Sequence, residues 1–396
     1  MQRKKILIAQ GGGPTMVINE SLVGIIKEAK KKSYQVFGSE NGVNGIINSK
    51  FYNLSGFSDE KLKLISKSPG AALGSTRDKP DEKYCNEILK IIQLRKFEKF
   101  FYIGGNDSSD SLKIISEKSD KLNYELQCIH VPKTIDNDLV LNDHTPGFGS
   151  AAKYVASVFA GINLDINSLP GVYIGITMGR HAGFLTASST LLKQNKNDGP
   201  HLIYLPETTF NISKFLKDVK LIYHKYGKCI IAVSEGIKDK DNILLSQKIL
   251  DSNEKDAHGN IQLSGSGALG DFLSNEIKSK LNIKRVRSDT LGYTQRSFIG
   301  CRSEVDEYES KLIGKKAFTM SLKEKNSFSV AIKERENFNL AYQTNIIKRK
   351  LKDIAGKTKL MPNNFINNDC NNITNSFINY AKPLIGKKIT KFITKI

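Results

Sequence analysis

The sequence predicts an α/β protein of two domains, built on mainly parallel sheets covered by helices on both faces. Three observations carry this. Short apolar runs recur along the chain, and between them apolar residues fall at helical spacing. The 396 residues exceed what one small core organises, so two domains are expected. The runs end in glycine, lysine or acidic residues, and ligands of open parallel sheets gather beyond the carboxyl ends of strands.

The first run, Ile6–Ala9, leads into Gly11-Gly12-Gly13-Pro14-Thr15, after which Leu22, Val23, Ile25, Ile26 and Ala29 share a helical face. Glycines let backbone N–H groups approach an oxyanion, and a helix N-terminus adds a favourable dipole. The pattern is neither GxGxxG nor GxxxxGK[ST], so it supports neither nucleotide motif; a tight strand–helix turn is the alternative. Gly74-Ser75-Thr76-Arg77-Asp78-Lys79 sets two cations beside a flexible turn, suited to a phosphate or to a plain surface loop.

The run Phe100–Ile103 precedes Gly104-Gly105-Asn106-Asp107-Ser108-Ser109, and Leu112, Ile114 and Ile115 continue as helix. Asp107 can ligate Mg²⁺, or Asp107 or Ser108 can cap the helix. Leu126–Val131 leads into Pro132-Lys133-Thr134-Ile135-Asp136-Asn137-Asp138, one lysine and two carboxylates within seven residues. That mixture suits phosphoryl transfer: one carboxylate takes a hydroxyl proton, another can hold Mg²⁺, and an ammonium stabilises moving phosphate charge. A solvated turn uses the same residue types.

Val172–Ile176 precedes Met178-Gly179-Arg180-His181-Ala182-Gly183, where Arg180 can fork onto a phosphate. Leu202–Leu205 precedes Glu207, and Cys229–Val233 precedes Ser234-Glu235-Gly236, whose carboxylate can accept sugar hydroxyls. Arg285, Arg287, Tyr293, Gln295 and Arg296 crowd one segment, reading as an anion site or a solvated basic face. Lys238 to Gly270 reads as polar loop with a short helix, and the chain from Pro362 onward as polar loop with a basic end.

No apolar stretch approaches the roughly 20 residues of a membrane helix, and Ile6–Ala9 is too short for a secretory core, so a cytoplasmic enzyme is expected. Five scattered cysteines without CxxC spacing argue against a disulfide scaffold and a zinc site; Cys128 and Cys229 read as core. The net charge of +20 raises nucleic-acid binding, yet the lysines are dispersed and no nucleic-acid module is present, so no nucleic-acid partner is expected.

In this order and spacing, Gly104–Ser108, Pro132–Asp138, Met178–Gly183, Ser234–Gly236 and Leu291–Arg296 resemble the phosphofructokinases, over roughly residues 4–320. The resemblance implies two three-layer domains with the active site in the cleft between them. Residues 1–147 plus about 290–345 would bind donor phosphate; about 148–289 plus 346–396 would bind the sugar phosphate. It also implies phosphoryl transfer to the 1-hydroxyl of fructose 6-phosphate, with Mg²⁺, in a homodimer or homotetramer.

Matched position by position, Asp136 is the family's general base, and Asp138 supports its loop. Thr134 and Ile135 lie along the sugar phosphate, Met178, Gly179 and Arg180 form a substrate-contacting strand end, and Glu235 accepts sugar hydroxyls. Tyr293 and Arg296 match the 6-phosphate site, and Arg287 an arginine donated across a subunit interface. Gly11, Gly12, Gly13 and Arg77, with Asp107 and Ser108, match donor contacts. Asp107 and Lys133 stand where ATP-dependent members typically carry glycine, a pairing that looks like the pyrophosphate-dependent branch. Asn106 replaces a frequent metal-binding aspartate, which shifts metal ligation toward Asp107. Gly171 replaces a second interface arginine of the bacterial ATP-dependent members, and Ser297-Phe298 replaces two glycines. An ATP-dependent kinase, a pyrophosphate-dependent kinase of another sugar such as sedoheptulose 7-phosphate, and a non-catalytic basic binding protein stay open as alternatives.

Overall fold

The computed structural model describes residues 3–249 and 267–387. Eleven strands are formed among these: β1 (Lys5–Gln10), β2 (Gln35–Ser39), β3 (Phe51–Asn53), β4 (Lys99–Gly104), β5 (Gln127–Pro132), β6 (Val172–Thr177), β7 (Leu202–Tyr204), β8 (Cys229–Ser234), β9 (Val286–Thr290), β10 (Phe328–Ile332) and β11 (Ile346–Arg349). All six apolar runs read from the sequence are strands. They group into two sheets, ordered β11-β10-β5-β4-β1-β2-β3 and β7-β8-β6-β9. Only β3 on β2 and β11 on β10 pair antiparallel, at the two edges of the larger sheet.

The chain divides into two compact units, residues 1–150 with 296–359, and 151–295 with 360–396. The third crossing lies beyond the expected position near 345, because β11 pairs with β10 and so keeps its segment in the first unit.

In the first unit, strict alternation along buried strands sends side chains to two cores. Ile6, Ile8, Phe101, Ile103, Ile129 and Val131 meet the helices Ile18–Lys31 and Glu304–Ser321. Leu7, Ala9, Phe100, Tyr102 and Cys128 meet the helices Glu82–Leu94 and Asn106–Lys121. That is a three-layer arrangement. The first two helices approach closely at Gly24, where an added Cβ would stand 2.6 Å from the Lys311 carbonyl oxygen. Gly314 meets the Ser21 backbone in the same way. Gly24→Val is therefore expected to force the helices apart and to cost about 1–3 kcal/mol, read as a lower denaturant midpoint; an unchanged midpoint would show that this packing is soft.

In the second unit, Val172, Ile174, Ile176, Cys229, Ile231 and Val233 face the helices Ile212–Tyr226 and Ala268–Leu281. On the opposite face Phe159 packs edge-on to Tyr173.

Of the two polar stretches, one follows expectation where it is described and the other differs. Leu245–Ile249 forms the short helix expected within Lys238 to Gly270, while residues 250–266 lie outside the described residues. The chain after Pro362 is more than loop: Phe365, Phe377, Tyr380, Leu384 and Ile385 are buried, and Asn375–Ala381 is helical. Three mutually packed aromatics carry that burial, and Asn367 accepts the backbone N–H groups of Asn371 and Asn372. So few apolar residues, spread over loops, leave no periodic signal. The expected basic end lies in 388–396, outside the described residues. Among the described residues no helix is long and apolar enough to cross a membrane, and none of the five cysteines is in a disulfide.

Candidate active site

From β1 the chain passes to β2 on one side and later to β4 on the other, so the carboxyl ends of β1 and β4 form a topological switch point. The glycine loop and the Gly104–Ser108 turn begin there, and the Pro132–Asp138 loop begins at the same end of the neighbouring β5. Backbone hydrogen bonds knit them: Gly11 N–H donates to Ile103 O, Gly12 N–H to Thr76 O, and Lys133 N–H to Gly104 O. Gly12 adopts φ +73°, a conformation other residues resist. Gly11 lies against the ring of buried Tyr102, which any Cβ would strike.

Lys133 is buried, and its ammonium donates to Gly13 O at 2.7 Å. Burial, with Arg296 nearby, pushes its pKa down to about 7, against the pull of Asp136 and Asp138. Arg296 lies over the glycine loop; a Cβ on Gly13 would stand 2.9 Å from its Nε. The sequence grouped Arg296 with Tyr293 in one phosphate site. The two belong to different units, because the chain crosses between residues 295 and 296.

The carboxylates follow the lysine on a rigid loop. Thr134 Oγ1 accepts the Asp136 N–H at 3.1 Å, a short side-chain turn that fixes the Asp136 backbone. Asn137 sits at φ +59°, and its Oδ1 accepts the Thr145 N–H at 3.1 Å. Ile135 is buried. Asp138 is pushed up to about 7 by burial and by the neighbouring charge of Asp136.

Asn106 and Asp107 open the helix Asn106–Lys121. Asn106 Nδ2 donates to Asp138 Oδ2 at 3.0 Å, while its buried Oδ1 has no hydrogen-bond partner. Asp107 is more open, with Lys79 Nζ 3.8 Å from its Oδ1. Ser108 is buried under Gly104, leaving that glycine no room for a side chain. An orphaned amide oxygen beside two carboxylates is a hard-oxygen donor set of the kind Mg²⁺ uses together with phosphate oxygens and water, so these residues fit the metal.

In the second unit the strand ends of β6 and β8 interlock. Ser234 Oγ donates to Gly179 O at 2.6 Å, Glu235 N–H to Thr177 O at 2.9 Å, and Gly236 lies flat against the Arg180 carbonyl. Gly179 takes φ +132° to make the turn. Met178 is buried, its N–H donating to Gln295 Oε1 at 3.2 Å. Met178, Gly179, Arg180 and Glu235 are thus brought together. Arg285 pairs with Asp165 at 3.6 Å, Arg287 is exposed on edge strand β9, and Tyr293 is 54% exposed.

Other residues that shape the site gave no local sequence signal. Asp306, fully buried, accepts the Gly147 and Ser150 N–H groups and so holds the far end of the carboxylate loop. His144 is clamped between Asp143 Oδ2 at 2.8 Å and Glu309 Oε2 at 2.7 Å, and Arg335 forks onto Asp143. Burial lowers the basicity of His144, but the Glu309 and Asp143 carboxylates outweigh it and raise its pKa to about 9. A raised pKa means this stabilisation is complete below the ordinary value of 6.5 and is lost as pH rises through about 9. Between those limits the wild type should lose up to about 1.4 kcal/mol per pH unit relative to His144→Gln. Parallel Tm–pH curves for the two proteins would contradict this.

The phosphofructokinase family model matches residues 5–321. The chain belongs to the phosphofructokinase family. A Rhodospirillum rubrum protein named pyrophosphate–fructose 6-phosphate 1-phosphotransferase is 51% identical over 98% of this chain and 95% of its own length. A Xanthomonas campestris pv. campestris protein of the same name is 34% identical over 97% of this chain and 92% of its own. The crystal structure of a pyrophosphate-dependent phosphofructokinase from Marinobacter aquaeolei superposes with a TM-score of 0.85 at 31% identity, covering 98% of this chain and 93% of that one. That from Nitrosospira multiformis gives 0.86 at 31%, with the same coverage. The phosphofructokinase motifs read from the sequence all fall at strand ends or the turns that follow them.

Proposed function

We propose that this chain reversibly transfers a phosphoryl group from pyrophosphate to the 1-hydroxyl of fructose 6-phosphate, giving fructose 1,6-bisphosphate and phosphate. The observation that carries the donor is the presence of both Asp107, open beside Lys79 at the end of β4, and Lys133, buried against the Gly13 carbonyl of the glycine loop. A carboxylate at 107 repels the α-phosphate of ATP. At an effective dielectric of about 20, two unit charges some 4 Å apart interact by roughly 4 kcal/mol, enough to select a donor. The Lys133 ammonium and Arg77 suit a compact dianionic phosphoryl group instead, with Gly11, Gly12 and Gly13 leaving room for its approach and Ser108 closing the turn.

In this reading Asp136 takes the proton of the sugar hydroxyl as its oxygen attacks the near phosphorus of pyrophosphate. The P–O bond to the other phosphate breaks, and inorganic phosphate leaves. Lys133 and Arg77 stabilise the charge that moves onto it. Asp107 and Asn106 would hold Mg²⁺, which when bound supplies charge neutralisation at the donor. Thr134, Ile135, Met178, Gly179, Arg180 and Glu235 position the sugar, Asp138 supports the base's loop, and Tyr293 and Arg296 receive the 6-phosphate.

Exposed Arg287, on an edge strand, is read as completing the same site in another copy, so a homodimer or homotetramer is expected. In this reading the enzyme works in cytoplasmic glycolysis. Because the pyrophosphate and sugar phosphate bonds are comparable in energy, the reaction runs both ways. Fructose 1,6-bisphosphate incubated with phosphate and Mg²⁺ should therefore yield a pyrophosphate resonance by phosphorus NMR; its absence at high enzyme concentration would refute the reading.

A further inference from the structure

Lys359 lies beyond the matched residues 5–321 and more than two hundred residues from the carboxylate loop, yet it is built into that loop. Thr358 bridges to Leu139, and the Lys359 N–H donates to Asp138 O at 2.7 Å. The side chain then turns inward. Its ammonium donates to Asn142 O and Asp143 O, each at 2.9 Å, and to Asn137 Oδ1 at 3.4 Å.

Asn137 is the residue between the two carboxylates, held in the left-handed region at φ +59°. Its Oδ1 is thus shared by Lys359 and the Thr145 N–H. One residue therefore grips the backbone at Asp138 through its N–H, and the strained residue before it and the return limb of the loop through its ammonium. Burying an ammonium is costly, and the carbonyl oxygens and the neighbouring Asp143 and Asp138 carboxylates offset that cost here.

We propose that Lys359 is a positioning residue for phosphoryl transfer, locking Asn137 so that Asp136 presents its carboxylate to the sugar hydroxyl. This rests on the phosphofructokinase reading above. A displacement of about 1 Å at a reacting group can cost on the order of 100-fold in rate. The full-length Lys359→Met variant is therefore expected to lose roughly 10- to 100-fold in kcat with pyrophosphate and fructose 6-phosphate, while both KM values stay near wild type. Lys359→Arg should recover part of that loss. Because the action runs through Asn137, Asn137→Gly should lose kcat similarly, and the double variant should be no worse than the poorer single variant. Glycine holds the left-handed backbone but offers the lysine no acceptor.

Wild-type kcat in Lys359→Met, or losses that multiply in the double variant, would overturn the proposal. If Lys359→Met does not fold, Asn137→Gly decides alone: a wild-type kcat there refutes the clamp. Hydrogen exchange separates this idea from the function it rests on. Amides of residues 132–147 should exchange faster in Lys359→Met while those of β4 do not change, whatever the activity. Unchanged exchange refutes the clamp; absent turnover in the wild type refutes the phosphofructokinase reading.

Discussion

Replacing Asp136 by asparagine is expected to lower kcat by about 10²- to 10⁴-fold, the range over which a positioned general base contributes. The substitution is nearly isosteric. It keeps the backbone N–H that donates to Thr134 Oγ1, so the loop retains its shape. What disappears is the only function an amide cannot supply, acceptance of the sugar hydroxyl's proton. KM for fructose 6-phosphate and for pyrophosphate should stay within a few-fold of wild type, because the loss falls in the transition state and not in ground-state binding. Steady-state kinetics with both substrates reads this directly. A kcat within tenfold of wild type would mean that another group takes the proton.

Lys133→Met should separate catalysis from stability. Removing a preorganised cation from the path of the moving phosphoryl charge is expected to cost about 10²- to 10³-fold in kcat with pyrophosphate. The same change should stabilise the substrate-free protein, since a buried ammonium held by a single carbonyl contact is an expensive group. The sign of the pH dependence follows. The folded pKa of Lys133 is lowered to about 7 from 10.5, so between those values the unfolded chain holds more protons and wild-type stability rises with pH. The advantage of Lys133→Met should therefore be greatest below pH 7 and shrink by up to about 1.4 kcal/mol per pH unit above it. Denaturant midpoints measured across that range test it. A variant that is less stable at every pH would show that Lys133 is structural rather than poised for an anion.

What the sequence made legible were features with a short-range signature. The six apolar runs became strands, and the polar residues after them became strand-end clusters, because a buried parallel strand is locally apolar and its ligand loop locally polar. Gly12, Gly179 and Asn137 all lie in those loops, and the folded chain holds each at positive φ. Pairings between distant segments were not legible. Strand β9 reads Val-Arg-Ser-Asp-Thr, so its place on the sheet comes from its partner β6 and not from its own hydrophobicity. Asp306, Glu309 and Lys359 support the carboxylate loop from far along the chain, and no spacing rule connects them to it. The boundary between the two units falls between residues 295 and 296, within the arginine-rich segment, and only the folded chain shows that.

The central claim is that Asp107 and Lys133 together select pyrophosphate. It is tested most directly by kcat/KM for pyrophosphate and for ATP, measured on the same purified wild-type protein with saturating fructose 6-phosphate and Mg²⁺. A repulsion of roughly 4 kcal/mol at position 107 predicts a preference for pyrophosphate of about 10²- to 10³-fold, and Asp107→Gly with Lys133→Gly should lose most of the pyrophosphate turnover. ATP turnover equal to or greater than that with pyrophosphate would contradict the account.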